Sequence, residues 1–390
     1  MKGLFNISET KSTSIQDGKV LSCVSCGMYK NTQNKFKPYG KGQQDIMIIG
    51  DAPTDKEDQT QKPFLSAEAR ILRKILEKNE IDLYKDCYSL YACACVCGDK
   101  IPADAVKSCR KNVYKYIQEL KPRVIITLGV NALVSVVEPK WKGNIEGLEK
   151  WRGWQIPDNE WHCYICPTYH YSDIEDDEVM QLLFEKDIDN AVFLPTLKKR
   201  KEPNIKIIDD LSVLNTIESG MVSIDLETTG IKPHRKGHRI VCASVAYDED
   251  NCYSFLLPDG RKEKQPFIDL LINLNIKKMA HNMKFEHTWI KERLRVEVVN
   301  WYFDSMIAAH ILDNRQGICG LKFLSYVMLG IGDYSSDIEH YLTSPGKDCN
   351  EFNKVIELSK NNKEKLLTYC GLDTIYQYRI AVEQIKQIGL

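Results

Sequence analysis

The sequence predicts an α/β protein of two domains. At 390 residues the chain is too long for one ordinary domain and suits two of about 150 to 200 residues each. Apolar runs of strand length alternate with amphipathic stretches in the first half, whereas the second half opens with strand patterns and continues with helical ones. A short charged stretch with a proline separates the halves. We therefore expect a first domain over 1–195, a linker over 196–206 and a second domain over 207–390.

The first half has the pattern of a parallel sheet covered by helices. Apolar runs at 45–50 and 124–129 have the length of buried strands, and the apolar residues of 67–81 recur with helical spacing. The first of these strands ends in the loop Gly50-Asp-Ala-Pro53. Open α/β sheets bind ligands beyond the carboxyl ends of their strands, so this loop is the expected ligand site.

Two pairs of side chains in the second half point to metal-dependent chemistry. Asp225 and Glu227 are two residues apart in a predicted strand, so both face the same side of the sheet. Tyr369 and Asp373 are four apart in a predicted helix and share a helical face. Adjacent carboxylates repel each other unless a cation lies between them. Phosphodiester hydrolysis by two metal ions requires such hard oxygen ligands and a group that orients water.

Composition and charge set few further limits. The formal net charge is −1, which gives no overall attraction to phosphate, so binding to nucleic acid depends on local patches such as the basic run 198–201. No apolar run reaches the roughly 18 residues of a membrane span, and the first residues lack the apolar core of a secretory signal. We expect a cytoplasmic protein without a membrane partner, located in a bacterial host cell if the protein belongs to a phage.

Cysteine is abundant and unevenly distributed. Nine of the fourteen cysteines lie between Cys23 and Cys166. Since no export signal is visible, these thiols are expected to be metal ligands or buried apolar residues and not disulfides.

The second half resembles the DEDD class of 3′→5′ exonucleases in its tyrosine variant, as found in the proofreading domain of DNA polymerase I family enzymes. The stretches that carry the resemblance are Asp225-Leu-Glu227-Thr-Thr-Gly230, His281-Asn282-Met-Lys-Phe285-Glu286 and Tyr369-Cys-Gly-Leu-Asp373. The resemblance implies a ribonuclease-H-like fold with a mixed sheet. It also implies that two Mg²⁺ or Mn²⁺ ions are held by a set of four carboxylates, Asp225, Glu227, Glu286 and Asp373.

Within this resemblance, the family's tyrosine corresponds to Tyr369 and is expected to position the attacking water. The sequence departs from the family at Glu286, where the family has aspartate. Glutamate is one methylene longer, so we expect this carboxylate to be functional with a shifted metal position.

The first half resembles the family 4 uracil-DNA glycosylases, which hold a 4Fe-4S cluster. The stretches that carry the resemblance are Cys23-Val-Ser-Cys26, Gly50-Asp-Ala-Pro53, Lys62-Pro-Phe64, Lys121-Pro-Arg-Val-Ile-Ile-Thr-Leu-Gly129 and Pro167-Thr-Tyr-His170. The implied cluster ligands are Cys23, Cys26, Cys95 and Cys109, with Cys93 and Cys97 as substitutes. A zinc ion held by the pairs Cys23/Cys26 and Cys163/Cys166 is the alternative, because two such pairs are a common zinc pattern.

The glycosylase resemblance also implies a base pocket formed by Asp51, Phe64, Tyr91 and His170. Phe64 would stack on the base, Asp51 would help to place a water, and His170 would stabilise charge on the leaving base. Tyr91 stands where the family has the asparagine that reads uracil. Because a phenol lacks the paired donor and acceptor of an amide, we expect uracil excision to be lost.

The two halves together resemble the N-terminal portion of certain bacteriophage DNA polymerases. The expected function is proofreading hydrolysis of single-stranded or frayed DNA 3′ ends, with a first domain that binds DNA or docks a partner. That partner would be a DNA polymerase, supplied in trans or as a further part of the same chain. The alternatives are a non-catalytic replication module and a bifunctional glycosylase and exonuclease.

Overall fold

The computed structural model describes residues 15–16, 19–20, 23–30, 32, 35–98, 100–141, 143–344 and 351–390, with side chains from Ser25 onward. The chain divides into two compact units, Met1–Lys198 and Lys199–Leu390. The α/β class is confirmed in both units. Among the described helices, none combines the length and the apolar character that a membrane span requires.

The first unit contains a five-stranded sheet and a separate two-stranded one. Its strands are β1 (Ile15–Gln16), β2 (Lys19–Val20), β3 (Ile46–Gly50), β4 (Cys87–Tyr91), β5 (Val124–Leu128), β6 (Ile156–Asp158) and β7 (Cys163–Thr168). The five-stranded sheet has the order β4-β3-β5-β7-β6. Its first four strands are parallel, and only β6 pairs antiparallel with β7. The predicted parallel sheet is therefore confirmed.

The helices of this unit are α1 (Cys23–Cys26), α2 (Asp55–Thr60), α3 (Arg70–Lys78), α4 (Ala103–Leu120), α5 (Val130–Trp141) and α6 (Glu178–Val192). Strands β3 and β5 are buried along their whole length, because helices cover both faces of the sheet. The loop after β3 follows the carboxyl end of a central strand, as expected from the sequence.

The second unit has a six-stranded mixed sheet. Its strands are β8 (Asn204–Ile207), β9 (Gly220–Thr228), β10 (Ile240–Ala246), β11 (Asn251–Leu256), β12 (Ile276–Ala280) and β13 (Trp301–Asp304), in the order β13-β12-β9-β10-β11-β8. Strands β9, β10 and β11 are antiparallel, whereas β12, β13 and β8 join in parallel. The predicted mixed sheet is confirmed.

The helices of this unit are α7 (Gln265–Ile272), α8 (Met283–Leu294), α9 (Ser305–Leu312), α10 (Leu321–Leu329), α11 (Glu339–Leu342), α12 (Val355–Asn361) and α13 (Lys363–Ile388). The longest of them, α13, packs across β8, β9, β10 and β11. The small residue Gly371 permits this close approach, because a Cβ atom there would lie 2.7 Å from Cγ2 of Ile205. Helix α13 thereby presents its Tyr369 and Asp373 positions to the middle of the sheet.

Candidate functional site

Three carboxylates meet between β9 and α13. Asp225 and Glu227 project from the same face of β9, and Asp373 projects from α13. One ligand oxygen of each lies within 4.8 Å of the others. The two pairs that the sequence indicated, one on a strand and one on a helix, are therefore brought together.

The electrostatics of this carboxylate group favour a bound cation. Burial and the neighbouring Asp373 raise the pKa of Asp225 to about 8. Burial and the charge of Asp225 also raise the pKa of Glu227 well above its usual range. Lys322 provides a nearby positive charge that acts in the opposite direction on Glu227 and Asp373. Hard oxygen donors in this number suit Mg²⁺ or Mn²⁺, which would replace the protons that burial otherwise imposes.

We expect the affinity for Mn²⁺ to increase as the pH rises from 6 to 8. Below the raised pKa of Asp225, a metal ion must displace a proton from this carboxylate, so the apparent affinity should gain about tenfold per pH unit, and more where protonated Glu227 also releases its proton. Isothermal titration with Mn²⁺ in the absence of DNA measures this dependence. Uniform affinity across this range would contradict the assignment of these carboxylates as ligands.

Two tyrosines hydrogen-bond to Asp373. Tyr369, one turn earlier on α13, and Tyr334, in the segment after α10, both place their hydroxyls at its carboxylate. Their ring centroids lie 6.0 Å apart. Burial raises the pKa of Asp373, and these hydrogen bonds partly offset the effect. Tyr369 was expected from its helical spacing, whereas Tyr334 was not predicted, because no motif surrounds it and it is 39 residues from Asp373.

Glu286 lies on the first turn of α8 and is 3% exposed. Burial and the charge of Asp225 raise its pKa well above the usual range. Its Oε2 atom has no hydrogen-bond partner among the described residues. An unsatisfied buried carboxylate oxygen is costly, so this atom is suited to a cation. Glu286 does not belong to the group whose ligand oxygens all lie within 4.8 Å of one another.

Asp304 fixes the start of the helix that carries Glu286. Its carboxylate accepts hydrogen bonds from the backbone N–H groups of Asn282 (3.1 Å) and Met283 (2.8 Å), and it also caps α9 through Met306 (2.9 Å). Asn282 has a positive φ of 67°, so the chain turns sharply between β12 and α8. One aspartate therefore sets the orientation of two helices beside the carboxylates.

Gln377 connects the three segments that carry the candidate ligands. Its Nε2 donates to the carbonyl oxygen of Ile224 at 2.8 Å, next to Asp225 on β9. Its Oε1 accepts from the backbone N–H of His281 at 3.0 Å, just before α8. Gln377 was not predicted, although its position four residues after Asp373 places it on the same helical face and was a usable signal.

The first unit contains a cluster of thiols around the start of α4. Buried Cys93, Cys95 and Cys109 pack together, with Cys26 and Cys97 at the edge. The Sγ atoms of Cys93 and Cys97 lie 3.0 Å apart. The hydrogen bond with Cys93 and burial raise the pKa of Cys109. Four or more thiols converging in an apolar setting form a suitable donor set for an iron–sulfur cluster.

The cluster contains three of the four expected ligands, Cys26, Cys95 and Cys109, and both substitutes, Cys93 and Cys97. Cys93, expected as a substitute, is the residue whose thiol hydrogen-bonds with Cys109, whereas Cys95 lies beside them in the same cluster. The side chain of Cys23 lies outside the described residues. Helix α1, which contains Cys23 and Cys26, packs against α4.

The second cysteine pair of the zinc alternative is not arranged to bind one ion. Cys163 and Cys166 are three residues apart on β7, so their thiols point to opposite faces of the sheet. Cys166 belongs to the core on one face of that sheet. β7 therefore does not present the two thiols to a shared metal, in contrast to the expectation from their spacing.

The expected base pocket lies at the carboxyl ends of β3 and β7. Asp51 accepts hydrogen bonds from the Ala132 N–H and the Asn131 side-chain amide, both at 2.8 Å, and burial raises its pKa. Gly129 is required here, because its φ is +92° and a Cβ atom would lie 2.9 Å from Asp51. His170 is half-buried, and its Nδ1 lies 2.7 Å from Oγ of Ser172.

Tyr91 fills the pocket beside Phe64. Its ring is 2% exposed and lies 5.3 Å from the Phe64 ring and 4.9 Å from the Phe36 ring. Its hydroxyl accepts a hydrogen bond from the backbone N–H of Phe64 at 3.1 Å. The face of Phe64 that contacts Tyr91 is therefore occupied by protein.

Comparisons with known proteins match the two halves of the chain to different families. Residues 37–187 match the family described as the uracil DNA glycosylase superfamily, and residues 206–387 match the family described as 3′-5′ exonuclease. The type-4 uracil-DNA glycosylase of Sulfurisphaera tokodaii is 24% identical over 202 residues, covering 50% of this chain and 82% of that protein. The type-4 enzyme of Saccharolobus solfataricus is 28% identical over 162 residues, covering 39% and 72%.

Two solved structures each match 48% of this chain. Brucella melitensis NrnC with bound Mg²⁺ is 18% identical, with a TM-score of 0.35, and the match covers 48% of this chain and 83% of that chain. Escherichia coli RNase D, described as an exoribonuclease involved in structured RNA processing, is 14% identical, with a TM-score of 0.36, covering 48% and 45%. The chain is thus similar to the uracil-DNA glycosylase superfamily over residues 37–187 and to 3′-5′ exonuclease domains over residues 206–387.

Proposed function

We propose that the second domain removes nucleotides from the 3′ ends of single-stranded or frayed DNA and proofreads for a DNA polymerase. The observation that carries the proposal is the convergence of Asp225, Glu227 and Asp373 within 4.8 Å. The polymerase acts in trans or forms a further part of the same chain. A place in replication, as in a phage-infected bacterial cell, is supported by the pairing of a glycosylase-like domain with an exonuclease domain.

The carboxylates of the site are the metal ligands in this proposal. Asp225, Glu227, Asp373 and Glu286 would hold two Mg²⁺ or Mn²⁺ ions. Divalent ions bound there would lower the pKa of water and stabilise negative charge on the phosphate.

Tyr369, held beside Asp373, would orient the attacking water through its hydroxyl. Tyr334 donates a hydrogen bond to Asp373 and keeps that carboxylate in place.

Digestion of a 5′-labelled DNA 20-mer tests the proposal. With Mg²⁺ or Mn²⁺ we expect a ladder of products shortened one nucleotide at a time from the 3′ end, and none with EDTA. An RNA of the same sequence is the comparison, and faster digestion of the RNA would move the substrate class to RNA. Metal-dependent DNA binding without any digestion would favour the non-catalytic replication module.

We expect Glu286→Asp to preserve or raise the rate of DNA digestion. The shorter side chain restores the carboxylate that the exonuclease family uses, and the cavity left by one methylene inside the domain is small. Steady-state digestion of a labelled single strand measures the change. A loss of two orders of magnitude, about 2.7 kcal/mol of transition-state stabilisation, would show that the site depends on the reach of glutamate.

The first domain is proposed to bind DNA or dock a partner without excising uracil. Support comes from Tyr91, whose ring packs on Phe64 in the expected base pocket. A base entering the pocket would have to displace this buried ring and break its hydrogen bond to the Phe64 backbone.

A uracil-containing single strand should therefore remain intact after incubation with the protein in EDTA and treatment with alkali. EDTA suppresses the exonuclease, so any cleavage would report abasic sites alone. Abasic sites that no longer form with His170→Ala would instead establish the bifunctional alternative.

A further inference from the structure

The loop between β9 and β10 is strongly basic. Residues 231–239 contain two lysines, two arginines and two histidines and no carboxylate. Lys232, Lys236 and Arg239 are exposed, and the side chains of these three form no ion pair with another described residue. Such a stretch carries a local positive potential that attracts phosphates although the whole chain is nearly neutral.

An exposed aromatic ring lies against this basic loop. Phe352 is 48% exposed, and one face of its ring stacks on His238 with centroids 4.3 Å apart and ring planes 12° apart. His238 is 2% exposed, and its Nδ1 lies 3.1 Å from Oγ1 of Thr229. The buried His238 ring thus covers one face of the Phe352 ring and holds this large apolar ring at the surface.

Hydrogen bonds hold Phe352 close to the candidate metal ligands. The next residue, Asn353, donates from its backbone N–H to the Thr229 carbonyl at 3.1 Å and from its side chain to the Thr228 carbonyl at 2.9 Å. Thr228 and Thr229 directly follow Glu227 in the chain. Thr229 also binds the basic loop, since its Oγ1 accepts from the Arg239 N–H at 2.9 Å.

We propose that Phe352 and the exposed basic residues Lys232, Lys236 and Arg239 form a binding track for the single DNA strand that leads to the exonuclease site. The cationic side chains bind backbone phosphates, and one base stacks on Phe352, as single-strand binding proteins commonly combine charge with aromatic stacking. The inference rests on the proposed function, because it assigns a path to that substrate. A basic loop by itself is often only a solvated surface. This loop differs because the exposed ring of Phe352 is stacked on His238 beside it.

Fluorescence anisotropy with labelled oligothymidylate of 20 nucleotides tests the track. The measurement is made on the full chain in EDTA, so that it does not depend on hydrolysis. We expect Phe352→Ala to weaken binding about tenfold and Phe352→Trp to retain it, because a stacking surface remains. Phe193→Ala, at a phenylalanine of the first domain that is 69% exposed, is the control and should bind like the parent.

Salt dependence tests the basic residues separately. Changing Lys232 and Lys236 to glutamine should lower the slope of log affinity against log salt by about 1.4, since each contact to a single-strand phosphate contributes about 0.7. The control pair Lys262→Gln with Lys386→Gln, exposed elsewhere in the same domain, should leave the slope unchanged. Parental affinity in Phe352→Ala, or an unchanged slope in the lysine pair, would overturn the track.

A small substrate separates the track from the proposed function. The p-nitrophenyl ester of thymidine 5′-monophosphate carries one nucleotide and reports the carboxylate site alone. We expect Phe352→Ala to hydrolyse it like the parent while losing about tenfold in kcat/KM on the 20-mer. Equal losses on both substrates would overturn the track, because Phe352 would then support the site itself.

Two further outcomes discriminate between the claims. If the parent hydrolyses neither substrate but binds DNA through Phe352, the track stands and the proposed exonuclease function fails. Tighter binding of oligouridylate than of oligothymidylate would overturn the assignment of the track to DNA.

Discussion

Replacing Asp225 and Glu227 together by alanine is expected to abolish nuclease activity while the fold is retained. The double change removes both carboxylates that β9 contributes to the group of three. Metal ions provide several kcal/mol of transition-state stabilisation in such sites, so the rate should fall by at least about 10³-fold. Digestion of a 5′-labelled single strand measures the loss, and binding to the same strand should largely survive. Digestion at the parental rate would show that the site lies elsewhere.

The matched control is Asp259→Ala with Glu263→Ala, two exposed carboxylates of the same domain. This pair should digest DNA like the parent, so that loss of negative charge alone is excluded as the cause.

Thermal unfolding in EDTA provides an independent test of the same carboxylates. The folded pKa of Asp225 is raised to about 8 from 3.8, so this residue's contribution to stability is present below pH 3.8 and is lost as the pH rises to 8. The Asp225→Ala, Glu227→Ala variant should lack that loss and, near pH 8, unfold at the same or a higher temperature than the metal-free parent. A variant that unfolds at a much lower temperature would indicate a structural role for the pair.

Purified without exposure to air, the protein is expected to be brown, with broad absorption near 400 nm from an iron–sulfur cluster. Cys109→Ser should bleach this colour and destabilise the first domain, because the cluster would join α1 and the segment after β4 to α4. Comparing Cys93→Ser with Cys95→Ser identifies the third ligand. The contact between Cys93 and Cys109 predicts that Cys93→Ser bleaches the protein, whereas the spacing of the sequence motif favours Cys95.

Cys163→Ser is the control for this experiment, since Cys163 is equally buried but lies on β7, away from the thiol cluster. It should keep the colour. The exonuclease should continue to work in every one of these variants, because its ligands belong to the other unit. A colourless protein that contains one zinc ion would contradict the cluster.

Local spacing was sufficient to predict much of the candidate exonuclease site. The two-residue period of a strand placed Asp225 and Glu227 on one face, and the helical period placed Tyr369 beside Asp373. These relations depend only on backbone geometry and can be read without knowing the fold. That the two pairs lie close together could not be predicted from spacing, because it depends on how α13 crosses the sheet.

Residues that act at a distance in sequence escaped the sequence analysis. Tyr334 reaches Asp373 from a segment without regular structure, and Asp304 controls two helix starts from the end of β13. The role of the thiols likewise could not be predicted from spacing alone. The spacing of Cys163 and Cys166 suggested a ligand pair. Because both lie on a strand, which directs residues three apart to opposite faces, the two thiols do not face a shared metal ion.

The path of α13 also determines when the candidate nuclease site can form. Arg379 on this helix donates a hydrogen bond to the carbonyl oxygen of Lys201, 178 residues earlier, at 2.9 Å. Contacts of such long sequence separation form late, because a large loop must close before they contribute any stability. Asp373 and Tyr369 therefore join Asp225 and Glu227 only when the last helix of the domain docks. Until residues 363–388 have been synthesised and have docked on the sheet, these carboxylates remain apart and the candidate site cannot form.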